Sequence, residues 1–329
     1  MSSMGPEVNI DSILALEKQI DEGLGDVVQL KRARNSLLNI STLVPPELLG
    51  QVFRWNVIPN DYGELEKGSY NFLLVCHYWF KVASDTPELW ACWGNTPKMW
   101  SQRYQRSGTA PLDLVLVTRY GEENVLGGPL RDALQDRAAS GSIRSIRLSG
   151  WDTDILHSVI SSLTLDGEDV RDSSAESLTV EFTHLDISTF LSRYRFPKLR
   201  VLRLLTRARF PSWDHLKLDA TSLTTLSLEF AEPNRPTTSQ LFSILALYPN
   251  LQDLALYNPM IPHDGGGSTL RAPLNQLKKL CLVGVFSHVF QLLDRLEYPD
   301  AMDSVNLHLS ECAGEAVSES LEQYIRDRI

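Results

Sequence analysis

The chain has 329 residues, 43% of them hydrophobic and 22% charged, which is the composition of a globular protein with room for two domains and a sizeable core. With 31 Lys and Arg against 41 Asp and Glu, the net charge is −10. An acidic surface repels phosphate backbones and no basic stripe with interleaved aromatics offsets it, so a nucleic-acid partner is not expected.

The N-terminus, MSSMGPEVNID, has neither the basic start nor the apolar core of a secretory signal. No apolar run approaches the roughly 18 residues a membrane span needs. A non-membrane protein of the cytoplasm, the nucleus or both is the expectation. Residues 1–9 read as disordered. From Ile10 an apolar seam follows, through Ile13, Leu16, Ile20, Leu24, Val27 and Leu30 to Leu37 and Leu38. Its steps of three and four residues predict a coiled-coil-like helix over 10–40. Gly23 and Gly25 each cost about 1 kcal/mol relative to Ala inside a helix, so a zipper built here is weak. Homodimerisation through 10–40 and a lone amphipathic helix both stay open.

Residues 41–106 predict a small helical unit. Pro45 and Pro46 suit a helix's first turn, where a missing N–H leaves nothing unsatisfied, and Glu47 favours the positive end of the helix dipole. Leu48, Leu49, Val52 and Phe53 then make an apolar face. Phe72, Val75, Cys76, Trp79, Phe80, Val82 and Ala83 repeat helical spacing. After a loop at 85–87, Leu89 and Trp90 start another helix. Helices this short bury little core by themselves, and such a unit needs a partner surface. Val44–Pro45–x–Glu47–Leu48–Leu49 with Val52 and Phe53, then Val75–Cys76–x–x–Trp79, and finally Ala83, Pro87, Leu89 and Trp90, resemble an F-box. Met99, Trp100, Arg103 and Tyr104 space as a further helix. The run Arg106–Ser107–Gly108–x–x–Pro111–Leu112 resembles one that follows the F-box in many fungal F-box proteins.

Residues 107–329 carry an internal period. Segments of the form L-x-x-L-x-L recur at Ile143/Ile146/Leu148, Leu199/Leu202/Leu204, Leu223/Leu226/Leu228, Leu251/Leu254/Leu256 and Leu277/Leu280/Leu282. Looser copies stand at Leu178/Val180 and Met302/Val305/Leu307. The central positions lie 32, 24, 24, 28, 26 and 25 residues apart, mostly within the span of a leucine-rich repeat. Helix-like pieces at 155–163, 187–194, 240–247, 285–296 and 318–328 alternate with the strands, with Ser239 as a cap for the third. Trp151, Arg207, Ala231, Pro259 and Val285 occupy the position where such repeats usually place asparagine. The predicted fold is thus an N-terminal helix, a small all-α F-box-like unit and an irregular leucine-rich-repeat solenoid with parallel strands. The rival is a doubly wound α/β enzyme domain, but no glycine-rich loop follows a strand to cradle phosphate.

Nothing in the sequence argues for catalysis. The seven histidines are scattered outside any metal-binding motif, and Cys76, Cys92, Cys281 and Cys312 form no C-x-x-C and read as reduced packing residues. No Gly-x-Ser-x-Gly elbow occurs. Gly265–Gly266–Gly267–Ser268 lacks the Gly-Lys-Ser/Thr of a phosphate loop and reads as a flexible insertion. No cofactor or metal is expected. The resemblance implies a non-catalytic adaptor that docks on a Skp-type subunit, and through it a cullin, by way of Val44, Pro45, Glu47, Leu48, Leu49, Val52, Phe53, Val75, Cys76 and Trp79. A protein substrate would meet the outward strand positions, with Arg144, Arg147, Arg203, Glu229, Asp253 and Lys279 as candidates. The alternative is a repeat scaffold unconnected with ubiquitin ligation.

Overall fold

The computed structural model describes residues 27–37, 44–57, 68–94, 100–118, 128–150, 171–182, 194–206, 213–230, 236–259, 271–299 and 301–310, together with 15, 18, 159, 161–163, 191 and 192. The expectations for 1–9, most of 10–26, 265–268 and 318–328 lie outside these residues. The chain forms two compact units, Met1–Ala110 and Pro111–Ile329.

The first unit is helical: α1 (Val27–Leu37), α2 (Pro46–Asn56), α3 (His77–Ser84) and α4 (Trp100–Ser107), with 3₁₀ turns at Asn71–Leu74 and Pro87–Leu89. Two expectations are corrected here. The segment after Phe72 is not one helix, because Cys76 is extended (φ −161°, ψ 169°) and separates the turn at Asn71–Leu74 from α3. Leu89 and Trp90 do not open a helix either; Pro87–Leu89 is a single turn, followed by extended Cys92–Trp93.

The second unit is α/β, with strands β1 (Leu112–Thr118), β2 (Ile143–Gly150), β3 (Ser177–Phe182), β4 (Val201–Thr206), β5 (Thr225–Glu229), β6 (Asp253–Tyr257), β7 (Lys279–Val285) and β8 (Ser304–Ser310). Each pairs in parallel with the strand before it in sequence. Strand order therefore never reverses, and the topological switch point of a doubly wound sheet is missing. Helices α5 (Gly128–Ala139), α6 (Thr238–Leu245) and α7 (Phe286–Arg295) interrupt the series. Short parallel pairs, Arg171–Asp172 with Tyr194–Arg195 and Ala272–Pro273 with Leu296–Glu297, form separately.

The registers turn the sequence period into rungs. Leu114, Ile146, Leu178, Leu202, Leu226, Leu254, Leu280 and Val305 are successive lateral partners, and so are Leu116, Leu148, Val180, Leu204, Leu228, Leu256, Leu282 and Leu307. Up to Leu280 and Leu282 all of them are buried. Burying each contributes roughly 1.5–3 kcal/mol, and a strand with one greasy face obtains it only from neighbours in the same register.

Polar bonds fix the spacing from one strand to the next. Ser174 and Ser222 sit just ahead of Ala175 and Leu223, the first buried residue of their segments. Ser222 donates to the carbonyls of Pro197 and Leu199 (3.0 Å each), and Ser174 to those of Gly141 and Ile143. Asn250, ahead of Leu251, donates to Thr221 O at 2.9 Å. Side-chain-to-backbone links therefore stand before the first apolar position of these segments.

Helix α6 starts two residues earlier than its apolar pattern predicts. Thr237 caps it, not Ser239, in a reciprocal box with Gln240 (Thr237 N–H to Oε1 2.9 Å; Gln240 N–H to Oγ1 3.2 Å). Beyond it, buried Tyr248 donates its hydroxyl to Leu216 O and accepts the Leu218 N–H at 3.1 Å.

Burial pushes the Tyr248 hydroxyl up to about 12 from its usual 10, against a smaller opposing pull from the Leu218 N–H. The folded chain therefore keeps this proton between pH 10 and 12 while the unfolded chain releases it, so stability falls across that window and is fully present below it. Tyr248→Phe is expected to lower stability by about 1–3 kcal/mol at neutral pH, through the unpaired Leu218 amide. It should also flatten the loss between pH 10 and 12 by about 2–3 kcal/mol relative to wild type. Urea midpoints measured on both proteins across pH 8–12 test this.

Candidate functional site

Two surfaces emerge, one in each unit. In the helical unit, extended Pro45 (φ −54°, ψ 144°) leads Pro46 into the first turn of α2, with Glu47 beside it, as the sequence implied. Positions 48, 52 and 55 lie on one stripe of this helix, and 49 and 53 on another. The second stripe is the interior: Leu49, Phe53, Val57, Phe72, Val82, Ala83, Leu89 and Trp90 form the core, with Val44, Tyr70, Leu73, Tyr78 and Trp79 packed against it. Phe53 is the hub, stacked on Phe72 (4.3 Å between centroids) and tilted against Trp79 (5.2 Å).

The predicted docking residues thus divide. Leu49 and Phe53, 3% and 1% exposed, belong to the core and cannot meet a partner. Val44, Cys76 and Trp79 are half-buried, and the Val44 carbonyl accepts the Tyr78 hydroxyl at 3.3 Å. Pro45, Glu47, Leu48, Val52 and Val75 are exposed. Leu48 (52%) and Val52 (53%) are joined by Trp55 at 79%, and Val75 (53%) by Leu74 at 84%. Trp55 and Leu74 fall outside the predicted docking set, although Trp55 stands seven residues after Leu48, where a helical stripe continues.

Behind this stripe the unit is braced by cations on rings. Tyr70 stacks on Trp90 at 5.6 Å, Arg106 lies 4.4 Å from the Trp90 ring and Arg103 5.6 Å from that of Tyr70. Arg103 is fully buried and donates Nη1–H to Cys92 O at 2.8 Å; Trp90 donates Nε1–H to Ala83 O at 2.9 Å. Burial raises the Tyr70 hydroxyl's pKa, against the Arg103 charge. The Arg106–Ser107–Gly108 run is structural: Arg106 covers Trp90, Ser107 is buried, and Gly108 takes φ +50° where α4 ends.

In the second unit the face opposite the leucine rungs is polar, and the registers order it. Asp113, Ser145, Ser177, Val201, Thr225, Asp253, Lys279 and Ser304 form one row. Val115, Arg147, Thr179, Arg203, Ser227, Ala255, Cys281 and Asn306 form the next. Val117, Ser149, Glu181, Leu205, Glu229, Tyr257, Val283 and His308 complete it. Arg147, Arg203, Glu229, Asp253 and Lys279 therefore share one face. Arg144 falls where the β1–β2 register shifts, opposite no residue of β1, and is held by Asp113 (Nε to Oδ1 3.0 Å) in an internal ion pair. Arg147 lies 3.5 Å from Glu181. Burial raises the Tyr257 hydroxyl's pKa, Cys281 adds to the rise and Arg203 opposes it, so side chains of β4, β6 and β7 meet there.

Among the described residues no group of three or more His, Cys, Asp or Glu is placed to hold a metal ion, and no helix is long and apolar enough to cross a membrane. No protein-family model matches the chain, and no curated protein matches it.

Core and surface stripes of α2 make opposite demands on substitution. Phe53→Ala is expected to destabilise the helical unit by about 3–5 kcal/mol. Leu48→Asp and Val52→Asp should stay within ~0.5 kcal/mol of wild type. Denaturant unfolding followed by tryptophan fluorescence, to which Trp79 on Phe53 contributes, separates the two cases. Equal losses for all three variants would make the exposed stripe part of the core.

Proposed function

We propose that this chain is a substrate-recruiting adaptor of a Skp/cullin/RING ubiquitin ligase. Its first unit acts as the F-box that docks on the Skp-type subunit, and its second unit is an irregular leucine-rich-repeat stack that holds a protein target. The observation that carries the reading is the apolar stripe Leu48–Val52–Trp55, left exposed on a proline-led helix whose other stripe already closes a core. Side chains of this kind contribute roughly 1.5–3 kcal/mol each when a partner covers them, enough for a few to dominate docking. In-register L-x-x-L-x-L rungs on strands that follow chain order favour the repeat assignment. The adaptor transfers nothing itself; it raises the effective concentration of a target beside the charged conjugating enzyme.

The test is capture of a purified Skp-type subunit by the full chain. Wild type is expected to bind, and Leu48→Asp/Val52→Asp to weaken binding at least 100-fold while its thermal unfolding stays unchanged. Phe53 is left alone, because its loss would unfold the unit. Absence of wild-type binding removes the ligase assignment in favour of a scaffold; undiminished binding by the double variant removes the docking stripe.

A further inference from the structure

The polar face of the sheet is not uniform. At its C-terminal half Ala255 is the lateral partner of Cys281, and Tyr257 of Val283, which gathers four largely apolar side chains on β6 and β7. All four are partly open to solvent. Glu229 flanks Tyr257 on β5, and exposed His308 flanks Val283 on β8, so one row reads Glu229–Tyr257–Val283–His308. The next charges repeat the sense: Asp253 lies on the Tyr257 strand and Lys279 on the Val283 strand. An apolar centre inside a polar rim is the anatomy of a contact whose energy sits on few residues, and a tyrosine at the centre is a common anchor.

Spacing selects the ligand. Neighbouring strands are about 4.8 Å apart, so Glu229 and His308, three strands apart, are separated by roughly 14 Å, with the Tyr257–Val283 pair midway. In an extended segment alternate side chains share a side at roughly 6.7 Å, and residues i and i+4 span roughly 13–14 Å. We propose that this patch binds an extended protein segment lying across the strands with the pattern basic–x–apolar–x–acidic, in either chain direction. The basic side chain meets Glu229, the apolar one rests on Tyr257 and Val283, and the acidic one takes the imidazole N–H of His308. This proposal rests on the reading of the sheet face as the target-binding surface and gives that target a chemistry.

Selection of displayed random 12-residue peptides against the full chain tests it. The expected result is enrichment of the basic–x–apolar–x–acidic pattern or its reverse. Affinity of the enriched peptide should fall at least 10-fold in Tyr257→Ala, and Glu229→Lys should shift preference to peptides carrying an acid in place of the base. Both variants should unfold at the wild-type temperature and keep their capture of the Skp-type subunit, so loss of that capture in wild type indicts the adaptor assignment rather than the patch. No enrichment, an enriched set lacking the pattern, or binding that Tyr257→Ala leaves unchanged overturns the proposal.

Discussion

Successive side chains of a strand point to opposite faces, so a leucine at every second position commits a whole strand to one orientation. Eight strands obey that commitment in one register, and most of the second unit follows from it. A slip of one residue at β5 would carry Leu226 and Leu228 into solvent and Thr225, Ser227 and Glu229 into the core. The polar face is therefore fixed by the apolar one: whatever binds there meets rows whose order was settled by leucine packing. The serine and asparagine bonds to the preceding segment act in the same direction, since each side chain reaches a carbonyl placed correctly only when the leucines are in step.

This explains which features were legible in the sequence. The central positions 146, 178, 202, 226, 254, 280 and 305, aligned by pattern, are lateral partners in space because register is a consequence of that pattern. Leu114 extends the series by one strand ahead of the aligned positions, as the lateral partner of Ile146. Helix α5 is not among the predicted elements; Ala133 and Leu134 face inward together with Arg137, and an arginine at an inward position blurs the apolar stripe. The cap of α6 was misplaced because Thr237, Thr238 and Ser239 are all plausible caps, and only the partner three residues on decides between them.

In the helical unit the apolar pattern of the sequence takes in two stripes and does not divide them. Leu48 and Leu49 are adjacent and chemically identical, yet 100° of helix turn puts one in the core and the other in solvent. A contiguous apolar motif on a short helix hides that division, because core and exposed stripes together fill most of its circumference. The Arg-Ser-Gly run resists a sequence reading for a related reason. An arginine at the end of a short helix invites an electrostatic role, whereas here Arg106 packs its guanidinium on Trp90, a contact worth about 0.5–2 kcal/mol that also shields the ring.

Both candidate surfaces lie outside the apolar cores of their units. The core of the first unit closes around Phe53 without Leu48, Val52 or Trp55, and the rungs of the second close without Glu229, Tyr257 or His308. Exposed large apolar side chains bring no stability and promote association, so a soluble surface keeps them few and scattered unless a partner covers them. A stripe of three on one helix face departs from that expectation. On the sheet, the leucines dictate where each polar-face side chain stands but not which residue it is, and that freedom lets a recognition surface vary while the stack beneath it stays the same.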